Sequence, residues 1–204
     1  DDVIEYFRKK NVMLRSADLS CANSTKNFIN ENNNFLNNVN VLINNAGQRF
    51  RFSVDQLEYA KLESLFRVNV IAPMILSKSI LTGMKKRNFG RIINISSILG
   101  TSGVEDLSGY SATKGAIDSM TRSMAVEFAK FGITVNAIAP GFCETSYAEN
   151  FQKNQTLNSL VIDRIPMGRW GSADEINGAL DFLISSEASY ITGQILNVDG
   201  GWSA

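Results

Sequence analysis

Hydrophobic and polar positions follow two patterns that alternate along the 204-residue chain. Short apolar runs are typical of buried strands, and longer segments with an apolar residue every three or four positions are typical of amphipathic helices. The predicted strands are Val12–Ala17, Val39–Asn44, Arg91–Ser96, Thr134–Ala139 and Gln194–Val198. The predicted helices cover residues 22–37, 53–86, 108–130 and 172–186. This alternation predicts one α/β domain over residues 1–204, with a parallel sheet between two layers of helices.

Local signals refine these elements. Ser53 with Gln56, and Ser172 with Glu175, have the spacing of capping boxes and predict helix starts. The asparagine-rich segment 27–45 could be disordered, but its apolar residues recur at helical spacing and favour a surface helix. Residues 140–171 read as one long irregular loop, which we expect to cover a site at the carboxyl ends of the strands.

Composition limits the function classes. Lys plus Arg and Asp plus Glu number 20 each, which gives no electrostatic case for a nucleic-acid partner. No apolar run approaches the roughly 20 residues that span a bilayer, so we expect no membrane association. Cys21 and Cys143 are too few for a disulfide framework and predict a reducing, cytoplasmic compartment. Because the sequence has no histidine and no clustered cysteines, we expect no metal site.

The strongest chemical signal is a tyrosine four residues before a lysine on a predicted helix, Tyr110 and Lys114. This spacing places both side chains on one helix face. An ammonium within about 4–6 Å lowers the pKa of a phenol by about 1–3 units, so Tyr110 could exchange a proton with a substrate oxygen. The pattern alone is weak, because Tyr6 and Lys10 repeat it without suitable neighbours.

Two further polar residues accompany the pair. Ser97 follows a predicted strand 13 residues before Tyr110 and could hydrogen-bond the same substrate oxygen, although a turn or helix cap is the ordinary role of such a serine. Asn69 lies among apolar residues of a predicted helix. It is either a satisfied core amide or a group that holds a water and extends a proton relay from Lys114.

Other strand ends carry small or polar residues with open alternatives. Asn45, Ala46 and Gly47 could form a turn or lie against the adenosine half of a cofactor. Asp18 could cap the next helix or accept from an adenine amino group. Pro140 and Gly141 end a strand, and the nearby Thr145 hydroxyl could bind a carboxamide or phosphate.

In combination, these residues resemble the short-chain dehydrogenase/reductase family. The resemblance covers essentially all 204 residues, from the region of the family's third strand to the end of the chain. It rests on six segments that occur in the family's order and spacing: Asn44–Gly47, Asn69, Ile95–Ser97, Tyr110–Lys114, Val135–Gly141, and Ile191–Gly193 with Val198–Gly201.

The resemblance implies a Rossmann-type, doubly wound sheet and a role for each matching residue. Tyr110 would be the general acid/base. Lys114 would assist it and bind the nicotinamide ribose, Ser97 would orient the carbonyl, and Asn69 would hold the relay water. The implied cofactor is NADP, with NAD possible, and the implied assembly is a homotetramer formed through helices 53–86 and 108–130. The implied cofactor contacts are Asp18, Leu19, Asn45, Ala46, Gly47, Tyr110, Lys114, Pro140, Gly141, Cys143 and Thr145.

The chain departs from the family pattern in one respect. None of its 15 glycines forms a GxGxxG or similar phosphate-binding loop, and the family's first strand, glycine loop, helix and second strand are not in the sequence. That loop normally places the cofactor pyrophosphate at a helix amino terminus. We therefore keep one hypothesis that is not an enzyme: a cofactor-free scaffold or oligomer partner.

Within the family, two segments are most similar in sequence to bacterial 3-oxoacyl-[acyl-carrier-protein] reductases: Gly132–Asn136 and Pro140–Thr145. The resemblance thus favours reduction of a carrier-bound 3-oxoacyl ketone in fatty acid synthesis. Four basic residues, Lys85, Lys86, Arg87 and Arg91, could form a patch for an acidic carrier or simply a solvated face. Residues Ile165–Gly171 also occur in sugar and polyol dehydrogenases of the family, which gives the alternative substrate class.

Overall fold

The computed structural model describes residues 12–144 and 155–204. Four parallel strands form one sheet in the order β1-β2-β3-β4. The strands are β1 (Val41–Asn44), β2 (Gly90–Ile95), β3 (Ile133–Pro140) and β4 (Ile195–Val198). All four correspond to predicted strands, and β2 and β3 begin or end within one residue of the prediction.

Seven α-helices lie in the described residues: α1 (Ala22–Glu31), α2 (Asn33–Leu36), α3 (Tyr59–Phe66), α4 (Ala72–Arg87), α5 (Ser108–Phe128), α6 (Gln155–Arg164) and α7 (Glu175–Ile184). A π-helical turn, Arg67–Ile71, joins α3 to α4. Three 3-10 turns cover Val54–Gln56, Ile98–Gly100 and Ala129–Phe131.

The core has two layers because successive strand residues point to opposite faces of the sheet. Ile92 and Val135 face one side, where they pack with Ile80 and Met84 of α4. Ile93 and Ile138 face the other side and meet Leu183 of α7. The predicted three-layer α/β/α architecture is therefore confirmed.

The predicted strand at Val12–Ala17 is wrong. Residues 12–18 have no regular secondary structure, and Val12, Met13 and Leu14 are 42%, 59% and 38% exposed. A strand exists only through hydrogen bonds to a neighbouring strand, and no other strand of the described residues pairs with this segment. The local apolar pattern was therefore not sufficient to form a strand within the part of the chain that the structure describes.

Two helix predictions also need correction at their ends. The Ser53 side chain caps nothing; Val54–Gln56 form a 3-10 turn, and α3 begins only at Tyr59. Ser172 and Glu175 make half of their predicted capping box, because the Glu175 carboxylate accepts the Ser172 amide hydrogen at 2.8 Å but Ser172 does not cap the helix.

The remaining corrections concern two long segments. The asparagine-rich helix breaks at Asn32, whose side-chain amide donates to the Phe28 carbonyl at 2.8 Å; such local bonds compete with the helix ladder. The expected irregular stretch 140–171 contains α6, so it is not one loop.

Among the described residues, the continuous helical stretch from Tyr59 to Arg87 is long and apolar enough to span a membrane, judged by length and composition alone. Two of its side chains, Ile80 and Met84, are fully buried against the sheet. Core helices of α/β proteins pass the same test, so this stretch is accounted for as the core helix of the fold.

Candidate active site at the carboxyl ends of the strands

Lys114 is the most constrained of the candidate catalytic residues. It lies on the first turns of α5, is 5% exposed, and donates from Nζ to the carbonyl oxygen of Ile95 at 2.6 Å. The same nitrogen lies 5.5 Å from the centre of the Tyr110 ring. The carboxyl end of β2 therefore fixes the ammonium beside the tyrosine.

Burial dominates the electrostatics of this lysine. It lowers the pKa of Lys114 from 10.5 to about 8, against the opposing attraction of the Asp118 carboxylate. The physical cause is the loss of water around a charged group. Lys114 is thus still an ammonium at neutral pH and loses its proton in the mildly alkaline range.

Ser97 lies directly after β2, at the start of the 3-10 turn Ile98–Gly100. Its backbone is extended, and its Oγ accepts the amide hydrogen of Leu99 at 3.2 Å. This is the ordinary capping role that the sequence left open. The hydroxyl hydrogen remains available to donate, so capping is compatible with orienting a substrate oxygen.

Asn69 lies in the π-helical turn and is 1% exposed. Its Oδ1 accepts from the Gln48 amide at 2.7 Å, and its Nδ2 donates to the Gln48 carbonyl at 2.9 Å and to Thr113 Oγ1 at 3.0 Å. Both amide hydrogens are therefore used within the protein. The side chain fastens the segment after Gly47 to α5, while its role in holding a relay water stays a prediction.

The segment Asn45–Gly47 follows β1 and is exposed. A Cβ added at Gly47 would meet only Asn69 Oδ1, at 3.5 Å, so packing within the protein does not demand glycine there. An exposed stretch of small side chains next to buried Asn69 leaves room for a ligand to approach the backbone.

Pro140 is the last residue of β3 and pairs with Val198 of β4. Gly141 follows, and a Cβ there would lie 2.7 Å from the Cα of Asp199. Close contact with Asp199 therefore accounts for this glycine without any ligand. Cys143 forms a parallel bridge with Gly171, and burial, with Glu175 nearby, raises the pKa of its thiol.

The predicted adenine contacts, Asp18 and Leu19, lie in a turn before α1. Asp18 is exposed, and its Oδ1 accepts from the amide and hydroxyl of Ser20 at 2.9 and 2.7 Å, which lowers its pKa. Leu19 lies in the same turn. The hydrogen bonds of this turn are local and connect it to the start of α1. Thr145 lies outside the described residues.

Sequence reasoning missed three residues of this region: Thr113, Ser96 and Asp118. Thr113 is fully buried and joins Asn69 to the Tyr110 carbonyl, to which it donates at 2.7 Å. Ser96 donates to the buried Asp118 at 2.5 Å. The one available signal was the position of Asp118 four residues after Lys114, which places both on one helix face.

A nicotinamide dinucleotide fits part of this arrangement. The exposed Asn45–Gly47 segment leaves its backbone open to a ligand, and the buried ammonium of Lys114 lies at the end of the neighbouring strand β2. No glycine loop for the pyrophosphate occurs in the sequence. Among the described residues, no three His, Cys, Asp or Glu side chains cluster as metal ligands.

Comparison with known proteins identifies the lineage. A family model described as "Enoyl-(Acyl carrier protein) reductase" matches residues 2–203. The chain belongs to the short-chain dehydrogenase/reductase family. This membership confirms the resemblance seen in the sequence and agrees with the parallel sheet and its layers of helices.

Two classes of relatives in this family are similar to the chain. The 2-dehydro-3-deoxy-D-gluconate 5-dehydrogenase of Bacillus subtilis is 39% identical over 157 residues, which cover 77% of this chain and 62% of the relative. The 3-oxoacyl-[acyl-carrier-protein] reductase FabG of Vibrio cholerae is 42% identical over 137 residues, 67% of this chain and 55% of the relative. The chain therefore spans little more than half the length of these short-chain dehydrogenase/reductase proteins.

Solved structures of the family give the same picture. A gluconate 5-dehydrogenase from Burkholderia cenocepacia, in complex with NADP and tartrate, is 31% identical with a TM-score of 0.90, covering 99% of this chain and 80% of that one. A 4-hydroxyisoleucine dehydrogenase complexed with NADH is 30% identical with a TM-score of 0.94, covering 100% and 84%. Family members of this shape thus bind either nicotinamide cofactor.

Proposed function

We propose that this protein is an NAD(P)-dependent oxidoreductase that interconverts a ketone and a secondary alcohol. The observation that carries the proposal is the position of Lys114, buried at the end of β2 with its ammonium 5.5 Å from the Tyr110 ring centre. Ser97 begins the adjoining turn, so three groups suited to carbonyl chemistry share one edge of the sheet.

In the reductive direction, Tyr110 donates its phenolic proton to the carbonyl oxygen as that oxygen gains negative charge. The nicotinamide cofactor, when bound, supplies the hydride that the carbonyl carbon accepts. Lys114 stabilises the phenolate that remains, because an ammonium close to a phenol oxygen favours its charged form. Ser97 donates a hydrogen bond to the same substrate oxygen and fixes its orientation.

Cofactor binding in this proposal uses the residues at the strand ends. Lys114 would bind the nicotinamide ribose, Asn45, Ala46 and Gly47 would line the adenosine ribose, and Asp18 with Leu19 would contact adenine. Pro140, Gly141, Cys143 and Thr145 would surround the nicotinamide amide. NADP is the preferred cofactor of the proposal and NAD the alternative, since solved relatives carry NADP or NADH.

The first substrate candidate is a 3-oxoacyl thioester on an acyl carrier protein. The sequences of Gly132–Asn136 and Pro140–Thr145 and the FabG relatives suggest it. Three of the four basic residues of the suggested docking patch make contacts within the described part of the protein, however, and only Lys86 is exposed without such a contact. Arg87 donates to the carbonyls of Asn37 and Val39 at 2.6 Å each, Arg91 is 3% exposed, and Lys85 lies over the rings of Phe128 and Phe131.

The second candidate is a sugar or polyol substrate of the gluconate or glucose type. The gluconate-type relatives in sequence and structure support it equally well. The test is oxidation of NADPH or NADH by the full-length protein with acetoacetyl thioester, and reduction of NADP or NAD with gluconate-type acids. Turnover with one class selects that substrate, and absence of turnover with both, in a folded protein that binds cofactor, would contradict both candidates.

We further propose a cytoplasmic homotetramer that pairs through α3, α4 and α5. Large apolar side chains on these helices are exposed, with Tyr59 at 80%, Val126 at 84% and Met74 at 48%. Exposed apolar patches of this kind are often buried between subunits. Light scattering of the purified full-length protein tests this directly: a Val126→Asp variant should lower the molar mass, and a wild-type monomer would contradict the proposal.

The scaffold hypothesis makes a different prediction from the enzyme. A scaffold would keep the fold and the assembly but would bind no dinucleotide. Titration of the full-length protein with NADPH, followed by fluorescence, separates the two: saturable binding supports the enzyme, and its absence in the assembled protein supports the scaffold.

A further inference from the structure

Asp118 is a buried carboxylate next to the proposed active site that the proposed reaction leaves without a role. It lies one helical turn after Lys114 on α5 and is 2% exposed. Burying a carboxylate is costly unless it is hydrogen-bonded or paired. Its presence in the protein interior therefore requires stabilising neighbours. These are a hydrogen bond from Ser96, close packing against Gly100, and the positive charges of Lys114 and Arg122.

The first partner is Ser96, the residue before the proposed catalytic Ser97. Its hydroxyl donates to Asp118 Oδ1 at 2.5 Å, and its own backbone amide donates to Ile138 of β3 at 2.7 Å. Ser96 is 3% exposed, so this bond lies inside the protein. It fastens the middle of α5 to the end of β2, where Lys114 also makes its bond to Ile95.

The second side is closed by Gly100, the last residue of the 3-10 turn that Ser97 begins. A Cβ at Gly100 would lie 2.5 Å from Asp118 Oδ2 and 3.3 Å from the backbone carbon of Lys114. A side chain at this position would therefore push the Asp118 carboxylate out of its present place. Asp118 thus touches the chain on both sides of Ser97, through Ser96 before it and Gly100 after it.

Asp118 also interacts with nearby positive charges. The Asp118 carboxylate stabilises the Lys114 ammonium against the desolvation that lowers the pKa of Lys114 to about 8. Burial raises the pKa of Asp118 itself, while the Ser96 bond, Arg122 and Lys114 act in the opposite direction. The adjoining turn Ile98–Gly100 carries no titratable side chain, so Lys114 and Arg122 are the charged groups that act on this carboxylate.

We propose that Asp118 is a positioning residue for Lys114: its carboxylate seats α5 against the end of β2 and keeps the lysine charged beside Tyr110. The catalytic significance of this inference rests on the proposed function. Asp118 touches neither substrate nor cofactor in this account. Its effect reaches the reaction through the charge of Lys114 and through the spacing between Ser97 and the tyrosine–lysine pair.

The decisive variant is Asp118→Asn, because asparagine keeps the shape and can still accept the Ser96 hydrogen bond but removes the charge. The full-length protein is labelled with 13C at the lysine ε carbons, and the Lys114 signal is assigned with Lys114→Arg. We expect Asp118→Asn to lower the pKa of Lys114 by about one unit, the size of effect that one nearby opposite charge produces. The alkaline limb of the kcat/KM profile should move down by the same amount.

Asp181→Asn is the matched control, since it removes the same charge from an exposed position on α7. It should leave both the Lys114 titration and the pH profile unchanged. Should Asp118→Asn fail to fold, Ser96→Ala provides a second route: without the Ser96 bond the carboxylate is no longer held in place, so it stabilises the ammonium less and the pKa of Lys114 should fall in the same direction.

An unchanged Lys114 titration in folded Asp118→Asn would overturn the proposal, since it would mean that the carboxylate is protonated or too well screened to act. Failure of the proposed function is distinguishable from this result. If the wild type turned over neither substrate class, the NMR titration would still decide whether Asp118 sets the charge of Lys114.

Discussion

The ammonium nitrogen of Lys114 donates to the carbonyl oxygen of Ile95, the last residue of β2, at 2.6 Å. This bond joins the helix that carries the tyrosine to the strand that leads to Ser97. It also explains how a lysine that is 5% exposed can remain charged. The proposed chemistry and the tertiary packing of α5 therefore meet at one contact.

Lys114→Met should stabilise the cofactor-free protein near neutral pH while abolishing turnover. The unfolded chain holds the lysine proton up to about pH 10.5, whereas the folded chain loses it at about pH 8. The buried charge thus lowers the free energy of unfolding fully below pH 8, by about 3 kcal/mol at most, and this penalty is relieved as pH rises from 8 to 10.5.

Thermal unfolding of wild type and Lys114→Met at pH 7 and pH 10 checks this. The variant should have the higher Tm at pH 7, and the difference should shrink at pH 10. A variant that is less stable than wild type at pH 7 would show that the Ile95 bond outweighs the desolvation of the ammonium.

Asn69→Ala should destabilise the protein by about 2 kcal/mol, because the amide and carbonyl of Gln48 and the hydroxyl of Thr113 lose a buried partner. In the enzyme, it should also raise the KM for the nicotinamide cofactor, since the segment after Gly47 would no longer be fastened to α5. Urea unfolding and cofactor titration measure the two effects.

Asn30→Ala, at an exposed position on α1, is the control for the Asn69 experiment and should change stability by less than about 0.5 kcal/mol. If Asn69→Ala kept wild-type stability and lost only kcat, the side chain would act in a proton relay and not as a fastening amide.

Gly141→Ala should destabilise the fold by about 2 kcal/mol, because the new methyl group would lie 2.7 Å from the Cα of Asp199 and force the end of β3 away from the end of β4. Gly178→Ala is a matched control on α7, where an added Cβ meets nothing and should raise helix stability slightly. Equal stability of the two variants, measured by chemical denaturation, would contradict the packing explanation.

The sheet could be predicted from the sequence where the apolar pattern was continuous. The strand residues Ile92 and Ile93 are buried on opposite faces, and such doubly buried strands read as unbroken apolar runs. The same pattern failed at Val12–Ala17, because apolar residues do not form a strand without a neighbouring strand to pair with. Strand pairing is a property of distant residues, and the local pattern does not contain it.

The site was partly predictable for a similar reason. Tyr110, Lys114 and Ser97 could be placed on elements whose ends must meet. The local sequence does not show whether Asn69 is a core amide, because its hydrogen-bond partners Gln48 and Thr113 lie 21 and 44 residues away in the chain. Asp118 was missed, since an acid four residues after a lysine on a helix usually marks an exposed ion pair.

In the proposed mechanism, Tyr110 exchanges the proton with the substrate oxygen while the other residues of the site bind and orient substrate and cofactor. The most direct measurement compares wild-type and Tyr110→Phe full-length protein for turnover, by nicotinamide absorbance, and for NADPH binding, by fluorescence titration. In Tyr110→Phe, turnover should fall by at least about a hundredfold while the affinity for the cofactor stays nearly unchanged. Turnover retained at the wild-type rate by Tyr110→Phe would contradict this mechanism.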